Sequence, residues 1–238
     1  NFARENRALG IGALGWHSLL QSKMLPFESI EATKLNTEIF KLIRDKSLSA
    51  SVEMAETYGE PEILKGYGRR NTTTMAVAPN TSSAFILGQV SQGIEPIWSN
   101  CYVKDVAKLK VTIKNRLLEN LLEQKGQNNR EVWQSIRDND GSVQHMTDIL
   151  DDKEREVFKT FPEINQMNII QQAAARQRYI DQGQSLNIMV HPDTPVKDIN
   201  MIYVEAWKLG IKALYYQHSM NAAQQFNRKL LECASCEA

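Results

Sequence analysis

Apolar residues recur at helical spacing over residues 29–58, the longest regular pattern in the chain. Three- and four-residue spacing places such side chains on one face of a helix. Ser29 suits the N-cap position, and Gly59 and Pro61 suit the end. The pattern therefore predicts one long helix over residues 29–58. Its predicted apolar face consists of Leu35, Ile39, Leu42 and Ile43.

The C-terminal third of the chain alternates between helical and extended patterns. Residues 163–182 are predicted to be helical, with Arg176 and Arg178 in solvent, and residues 185–190 are predicted to form a strand. A second helix is predicted to begin at Thr194-Pro195 and to end at Gly210, before a strand over residues 212–217. This is a β–α–β unit, which implies parallel strands. The predicted fold class is therefore α/β.

Residues 72–90 repeat the strand-to-helix pattern with a hydroxyl-rich turn between the two elements. A β-prone run, residues 72–77, precedes the turn, and residues 84–88 are predicted to begin a helix. Free N–H groups at a helix start favour an anion, and hydroxyl groups add donors, although a Ser or Thr N-cap gives the same pattern. The residues of this turn are Pro79, Asn80, Thr81, Ser82 and Ser83.

Tyr215 and Tyr216 are adjacent at the end of the last predicted strand. Neighbouring side chains of a strand point to opposite faces, so two stacked phenol rings require a strand end or a kink. Both the tyrosine pair and the 79–83 turn are predicted at carboxyl ends of strands, where ligands of α/β folds gather. The sequence thus predicts that they face one site, although core packing is the alternative for the tyrosines.

Gly10, Gly12 and Gly15 match the spacing G-x-G-x-x-G of dinucleotide sites. No strand pattern precedes them, so close packing at a helix start is the favoured interpretation. In the polar stretch 102–160, only a helix near residues 114–125 is predicted, and His145 is expected at the surface. Cys101 has no Cys or His at metal-ligand spacing and is predicted to be a buried apolar side chain.

Composition narrows the possible classes of protein. The chain has 238 residues, of which 42% are hydrophobic, and its 28 basic and 28 acidic side chains balance. This suits a soluble globular protein with no general attraction to nucleic acid or acidic lipid. No apolar run is long enough for a transmembrane helix, and three cysteines are too few for a disulfide framework. We therefore expect a cytoplasmic protein.

Cys233 and Cys236 form a C-x-x-C pair beside the last residues of the sequence. Such a pair can exchange with another disulfide once a thiolate forms, and chain ends are commonly mobile. We expect residues 1–220 to form the folded part and residues 221–238 to form a mobile tail that carries electrons.

These segments together resemble the catalytic large subunit of class I ribonucleotide reductase, in the family's order and at similar spacing. The resemblance covers nearly the whole chain and is weakest over residues 105–160. The matching stretches are Leu9-Gly10-Ile11-Gly12, Pro26-Phe27-Glu28-Ser29, Pro79-Asn80-Thr81-Ser82-Ser83, Gly93-Ile94-Glu95-Pro96, Asp181-Gln182-Gly183-Gln184-Ser185-Leu186-Asn187, Tyr215-Tyr216 and the terminal cysteine pair.

The resemblance implies the C-terminal part of a ten-stranded α/β barrel that reduces ribonucleoside diphosphates. It implies that the 79–83 turn holds the substrate phosphates, and that Tyr216 and then Tyr215 relay a radical from a small subunit to a catalytic cysteine. That small subunit would carry the tyrosyl radical or metal centre, and this chain would bind no cofactor. Cys233 and Cys236 would re-reduce the active-site disulfide and would themselves be reduced by thioredoxin or glutaredoxin.

The resemblance also implies that the catalytic cysteine lies upstream of the part matched here, because Cys101 matches none of the family's catalytic positions. The sequence therefore predicts one piece of a split large subunit, which needs an N-terminal partner chain. Two alternatives stay open. One is a non-catalytic fragment that binds the small subunit or a redoxin, and the other is a stand-alone thiol oxidoreductase that uses Cys233 and Cys236.

Overall fold

The computed structural model describes residues 1–106 and 109–219 of the chain. The predicted tail and its pair Cys233 and Cys236 lie outside the described residues. Short 3-10 turns occur at Glu62–Leu64 and Phe161–Glu163. The described helices are α1 Phe2–Asn6, α2 Trp16–Ser22, α3 Ile30–Tyr58, α4 Thr81–Ile86, α5 Arg116–Gln124, α6 Arg130–Asp138, α7 Asp152–Val157, α8 Gln166–Gln177 and α9 Val196–Lys208, and the strands are β1 Cys101–Val106, β2 Leu109–Lys114, β3 Ile188–Met189 and β4 Gln217–His218.

Four extended segments lie side by side and parallel, in the order 9–12, 73–77, 182–189 and 215–218. Ile11 bridges Met75, Val77 bridges Gln184, and β3 pairs with β4. Backbone hydrogen bonds extend each contact, for example from the N–H of Ala76 to the carbonyl of Ile11 at 3.1 Å. These parallel segments, joined through helices, confirm the α/β fold class.

Helices α3, α8 and α9 pack together in series beside these segments, and the main core lies between them and the sheet. Ser29 caps α3 by accepting a hydrogen bond from the N–H of Ala32 at 3.1 Å, as predicted. Leu42 was wrongly placed on the buried face, since 58% of it is exposed, while Phe40 is fully buried. None of the described helices is both long enough and apolar enough to cross a membrane.

Residues 99–160 form a second core of their own, which the sequence did not predict. β1 and β2 make an antiparallel hairpin, and Cys101 of β1 belongs to one cluster with apolar side chains of α5, α6 and α7. The side chains of Asn115, Asn129 and Asp151 accept a backbone hydrogen bond at the start of each helix in turn. Cys101 belongs to this core and is 4% exposed, which confirms its predicted burial.

Several predicted boundaries were wrong. The strand predicted over residues 212–217 is limited to Gln217–His218, and the helix predicted over residues 163–182 covers Gln166–Gln177. Pro195 is the N-cap of α9, so the helix does not begin at that residue. Arg176 is fully buried instead of solvated.

Candidate active site

Tyr215 and Tyr216 stack on each other where the last extended segment begins. Their ring centroids are 4.1 Å apart and the planes are inclined by 52°. The N–H of Tyr215 donates to the carbonyl of Leu186 at 2.8 Å, and the N–H of Tyr216 donates to Oδ1 of Asn187 at 3.0 Å. Two successive N–H groups thus point to the same neighbouring segment, whereas they alternate in a regular strand. This is the kink that the stacked phenols were predicted to need.

The tyrosine pair lies at a different place in its strand from the one predicted. It precedes β4 instead of ending a strand over residues 212–217. Because Gln217 pairs with Ile188 while Val77 pairs with Gln184, β4 is displaced along the sheet. Along the strand direction, the tyrosine pair therefore still lies past the C-terminal end of the 73–77 segment.

The phenol of Tyr215 keeps its proton at neutral pH. A hydrogen bond with Tyr216 raises the pKa of Tyr215 above its ordinary value, which is about 10. About half of each side chain is exposed. The imidazole of His218 lies 5.9 Å from the Tyr216 ring, between centroids, and burial lowers the pKa of His218. The site therefore combines a protonated Tyr215 phenol with an imidazole, near the Tyr216 ring, that favours its uncharged form.

A pocket of about 400 Å³ opens beside Tyr215. More than half of its lining residues are Gly, Ala or Ser, and all four extended segments contribute to it, which leaves room for a ligand. Of the predicted site residues in the described part of the chain, only Tyr215 lines this pocket; the lining reaches Ala78 and stops before the 79–83 turn. The full lining is Gly10, Ala76, Val77, Ala78, Gln182, Gly183, Gln184, Ser185, Ala213, Leu214 and Tyr215.

The 79–83 turn was predicted to precede a helix beginning at residues 84–88, but α4 begins at Thr81, so Thr81, Ser82 and Ser83 form its first turn. Asn80 is the N-cap in the left-handed region, with φ 55°, and its side chain makes no capping hydrogen bond. The first N–H groups of a helix have no partner within it, so those of Thr81, Ser82 and Ser83 face outward. All three residues are exposed. A Ser or Thr N-cap, the alternative interpretation of this pattern, is not what the structure shows.

Glu95 and Asn187 form a buried contact behind the tyrosine pair that sequence reasoning missed. Glu95 is 6% exposed and accepts from the backbone N–H of Asn187 at 2.6 Å and from its Nδ2 at 3.1 Å. Burial raises the pKa of the Glu95 carboxyl, while Asn187 and the charge of Arg176 act in the opposite direction. The one available signal was an Asn inside an apolar, strand-like run, where Asn is disfavoured.

Gly10, Gly12 and Gly15 serve packing, which confirms the favoured interpretation of their pattern. A Cβ on Gly12 would lie 2.6 Å from the carbonyl oxygen of Ala76, and Gly15 is the N-cap of α2 with φ 78°. Within residues 1–106 and 109–219, no three His, Cys, Asp or Glu side chains gather at metal-binding distance.

Comparisons with known proteins agree with this geometry. A family model described as "Ribonucleotide reductase, barrel domain" matches residues 1–62 and 60–217. The ribonucleoside-diphosphate reductase large subunit of Invertebrate iridescent virus 6 is 42% identical over 226 residues, which cover 94% of this chain and 24% of the viral protein. The corresponding protein of Invertebrate iridescent virus 3 is also 42% identical, over 91% of this chain and 35% of its own length.

A solved structure shares the fold. The Actinobacillus ureae class Id ribonucleotide reductase alpha subunit superposes with a TM-score of 0.87 at 56% sequence identity, over 94% of this chain and 41% of that protein. The chain thus spans well under half the length of these relatives. The match of both sequence and structure over nearly all of the chain shows that it belongs to the ribonucleotide reductase barrel-domain family, as a part of the large subunit.

Proposed function

We propose that this chain is the C-terminal part of the catalytic large subunit of a class I ribonucleoside-diphosphate reductase, which makes deoxyribonucleotides by radical chemistry. The observation that carries the proposal is the stacked pair Tyr215 and Tyr216, 4.1 Å apart, with Tyr215 lining the pocket. The pair connects an exposed surface to the pocket through two rings in contact.

Tyrosine suits this relay because a phenol can give up an electron and a proton together. Tyr216 is the more exposed of the two and would face the small subunit, which supplies the radical from its tyrosyl or metal centre. Tyr215 would pass the radical toward the catalytic cysteine in the pocket. The raised pKa of Tyr215 supports this role, since the phenol keeps its proton until it is oxidised.

The substrate phosphates would bind at the 79–83 turn. Its exposed hydroxyl and N–H groups are suited to an anion, and the turn directly follows Ala78, at the edge of the pocket. A ribonucleoside diphosphate would then place its sugar in the pocket, beside Tyr215. Asn80 adopts the left-handed conformation here, which turns the chain into α4.

An N-terminal piece of the large subunit would supply the catalytic cysteine, because Cys101 lies in the second core and does not line the pocket. The sheet supports such a partner. Leu9 and Ile11 donate their N–H groups to the 73–77 segment, and in the described part of the chain the N–H groups of Gly10 and Gly12, which alternate with them, have no backbone partner. An open edge of this kind can accept further strands.

Cys233 and Cys236 would carry electrons from thioredoxin or glutaredoxin to the active-site disulfide. The 17 residues from Tyr216 to Cys233 span at most roughly 56–61 Å when extended, which is enough to travel between a pocket and a surface. The dithiol of the tail would reduce the active-site disulfide by exchange and leave as a disulfide itself.

A reconstitution tests the proposal. The chain is mixed with the candidate N-terminal piece, the small subunit and a dithiol, and deoxyribonucleotide formation is assayed with each component left out in turn. Tyr215→Phe should abolish turnover, because Phe cannot lose a phenolic proton. Tyr67→Phe is the matched control, since Tyr67 is 73% exposed and does not line the pocket. Turnover that is unchanged in Tyr215→Phe would refute the relay.

A further inference from the structure

One hydrogen bond at the stacked pair Tyr215 and Tyr216 is not provided by the backbone alone. The N–H of Tyr215 and the carbonyl of Tyr216 pair with the neighbouring segment in the ordinary way, at 2.8 Å to Leu186 and 3.0 Å to Ile188. The N–H of Tyr216 is the additional donor that the kink turns toward the same segment. The side-chain oxygen of Asn187 accepts it at 3.0 Å.

The amide of Asn187 is in turn fixed in one orientation. Its Nδ2 donates to one oxygen of Glu95 at 3.1 Å, and the other oxygen accepts the backbone N–H of Asn187 at 2.6 Å. Because Nδ2 is held by the carboxylate, Oδ1 must face Tyr216. The loop that carries Glu95 is itself anchored, since the N–H of Trp16 donates to Gly93 and the N–H of Ile97 donates to Nδ1 of His17.

We propose that Glu95 and Asn187 are positioning residues for radical transfer, which fix the kink and hold the two phenol rings in contact. The inference rests on the relay proposed for Tyr215 and Tyr216. Neither residue exchanges electrons: the carboxylate orients the amide, and the amide orients the backbone of Tyr216. Displacement of a reacting group by about 1 Å can cost about 100-fold in rate.

The chemistry of the pair gives a test in which two damaging changes cancel. Glu95→Gln leaves one acceptor oxygen for two donors of Asn187, so the Asn187 amide loses its fixed orientation. Asn187→Asp places two carboxylates against each other. In the double variant, the amide at position 95 accepts the backbone N–H of residue 187 and donates to the carboxylate at position 187. The second oxygen of that carboxylate accepts the N–H of Tyr216. Every hydrogen bond is then restored with the same total charge.

The measurement is steady-state kinetics of the reconstituted enzyme with the full chain. We expect each single variant to lower kcat by at least about 10-fold with KM changed less than about 2-fold, and the double variant to return within about 3-fold of wild type. Glu28→Gln is the control, because Glu28 also accepts from a backbone N–H, that of Asn165, and from an Asn amide, that of Asn168, and its further partner is Lys159 rather than either tyrosine. It should leave kcat unchanged.

A second readout does not depend on turnover. With 3-fluorotyrosine at position 216 of the full chain, the 19F resonance should move in both single variants and return in the double variant. Single variants with unchanged kcat and resonance, a double variant no better than the singles, or an equal loss of kcat in Glu28→Gln would each overturn the inference. Tyr215→Phe in the same assay separates the two proposals. If Tyr215→Phe stays active, the proposed radical relay is wrong. If Tyr215→Phe is inactive while the variants of Glu95 and Asn187 keep full activity, only the positioning role is wrong.

Discussion

The buried imidazole of His17 should make the stability of this chain strongly dependent on pH below neutrality. His17 is fully buried, packs edge-on against Phe27 at 5.5 Å between ring centroids, and accepts the N–H of Ile97 on Nδ1 at 3.0 Å. Burial lowers the pKa of His17 to about 3, and the nearby Val157 carbonyl acts in the opposite direction by raising it. That carbonyl does not form a hydrogen bond with Nε2 of His17. The folded state therefore holds the imidazole neutral.

The sign and size of the effect follow from proton linkage. The pKa in the unfolded chain is about 6.5, so the unfolded state takes up a proton as the pH falls while the folded state does not. The contribution of the neutral His17 to the free energy of unfolding is complete above about pH 6.5, and it is lost progressively as the pH falls from about 6.5 toward about 3. Because pH 5 lies about 1.5 units below the pKa of the unfolded chain, the free energy of unfolding is lower there by about 2 kcal/mol.

The assay is urea unfolding at pH 7, 6 and 5, followed by tryptophan fluorescence. His17→Asn keeps an acceptor near the N–H of Ile97 but cannot titrate. The variant should be less stable at pH 7, and its disadvantage against wild type should shrink by about 2 kcal/mol at pH 5. His145→Asn, at an exposed histidine, should keep the pH dependence of the wild type. Parallel stability curves for wild type and His17→Asn would refute the reasoning.

Two further substitutions test how tightly the chain is packed and capped. Gly12→Ala should lower the free energy of unfolding by about 1–3 kcal/mol in urea titrations, because the new Cβ would lie 2.6 Å from the Ala76 carbonyl, whereas Gly183→Ala meets nothing within 4 Å and should cost much less. Asp151→Ala should cost about 1 kcal/mol in thermal unfolding, because it removes the capping box of α7; a change below a few tenths would contradict the assigned cap.

Elements with a strong local signal could be predicted from the sequence. α3 was predicted to within one residue because Ser29 and Gly59 define its ends and apolar residues recur regularly between them. The order of helices and strands near residues 185–218 was also correct, since Pro195 fixes its own φ and Gly210 readily adopts the positive φ, here 78°, at which helices end. In these places the chemistry of a few consecutive residues determines the conformation.

Other features depend on contacts between distant residues. Arg176 was predicted in solvent because arginine is seldom fully buried, yet its Nη1 donates to Oδ1 of Asn36 at 2.8 Å and its guanidinium lies over the ring of Phe40. Likewise, β2 alternates strictly between apolar and polar residues over Leu109–Lys114, a strand signal that the sequence analysis missed, whereas the place of the hairpin in the second core depends on α5–α7, which follow it. No pattern within either segment reports these partners.

The tyrosine pair shows how local and distant information combine. The adjacent rings required a break in strand geometry, and this much followed from the sequence. Which residue stabilises the break did not, because Asn187 is 29 positions away and its orientation depends on Glu95, a further 92 positions upstream of it. The kink frees one N–H from the pairing between the two segments, and its acceptor comes from a side chain elsewhere in the fold. The same reasoning explains why a carboxylate is retained in a nearly dry place behind the pocket: it is the group that can accept both donors of Asn187 and leave the amide oxygen for Tyr216.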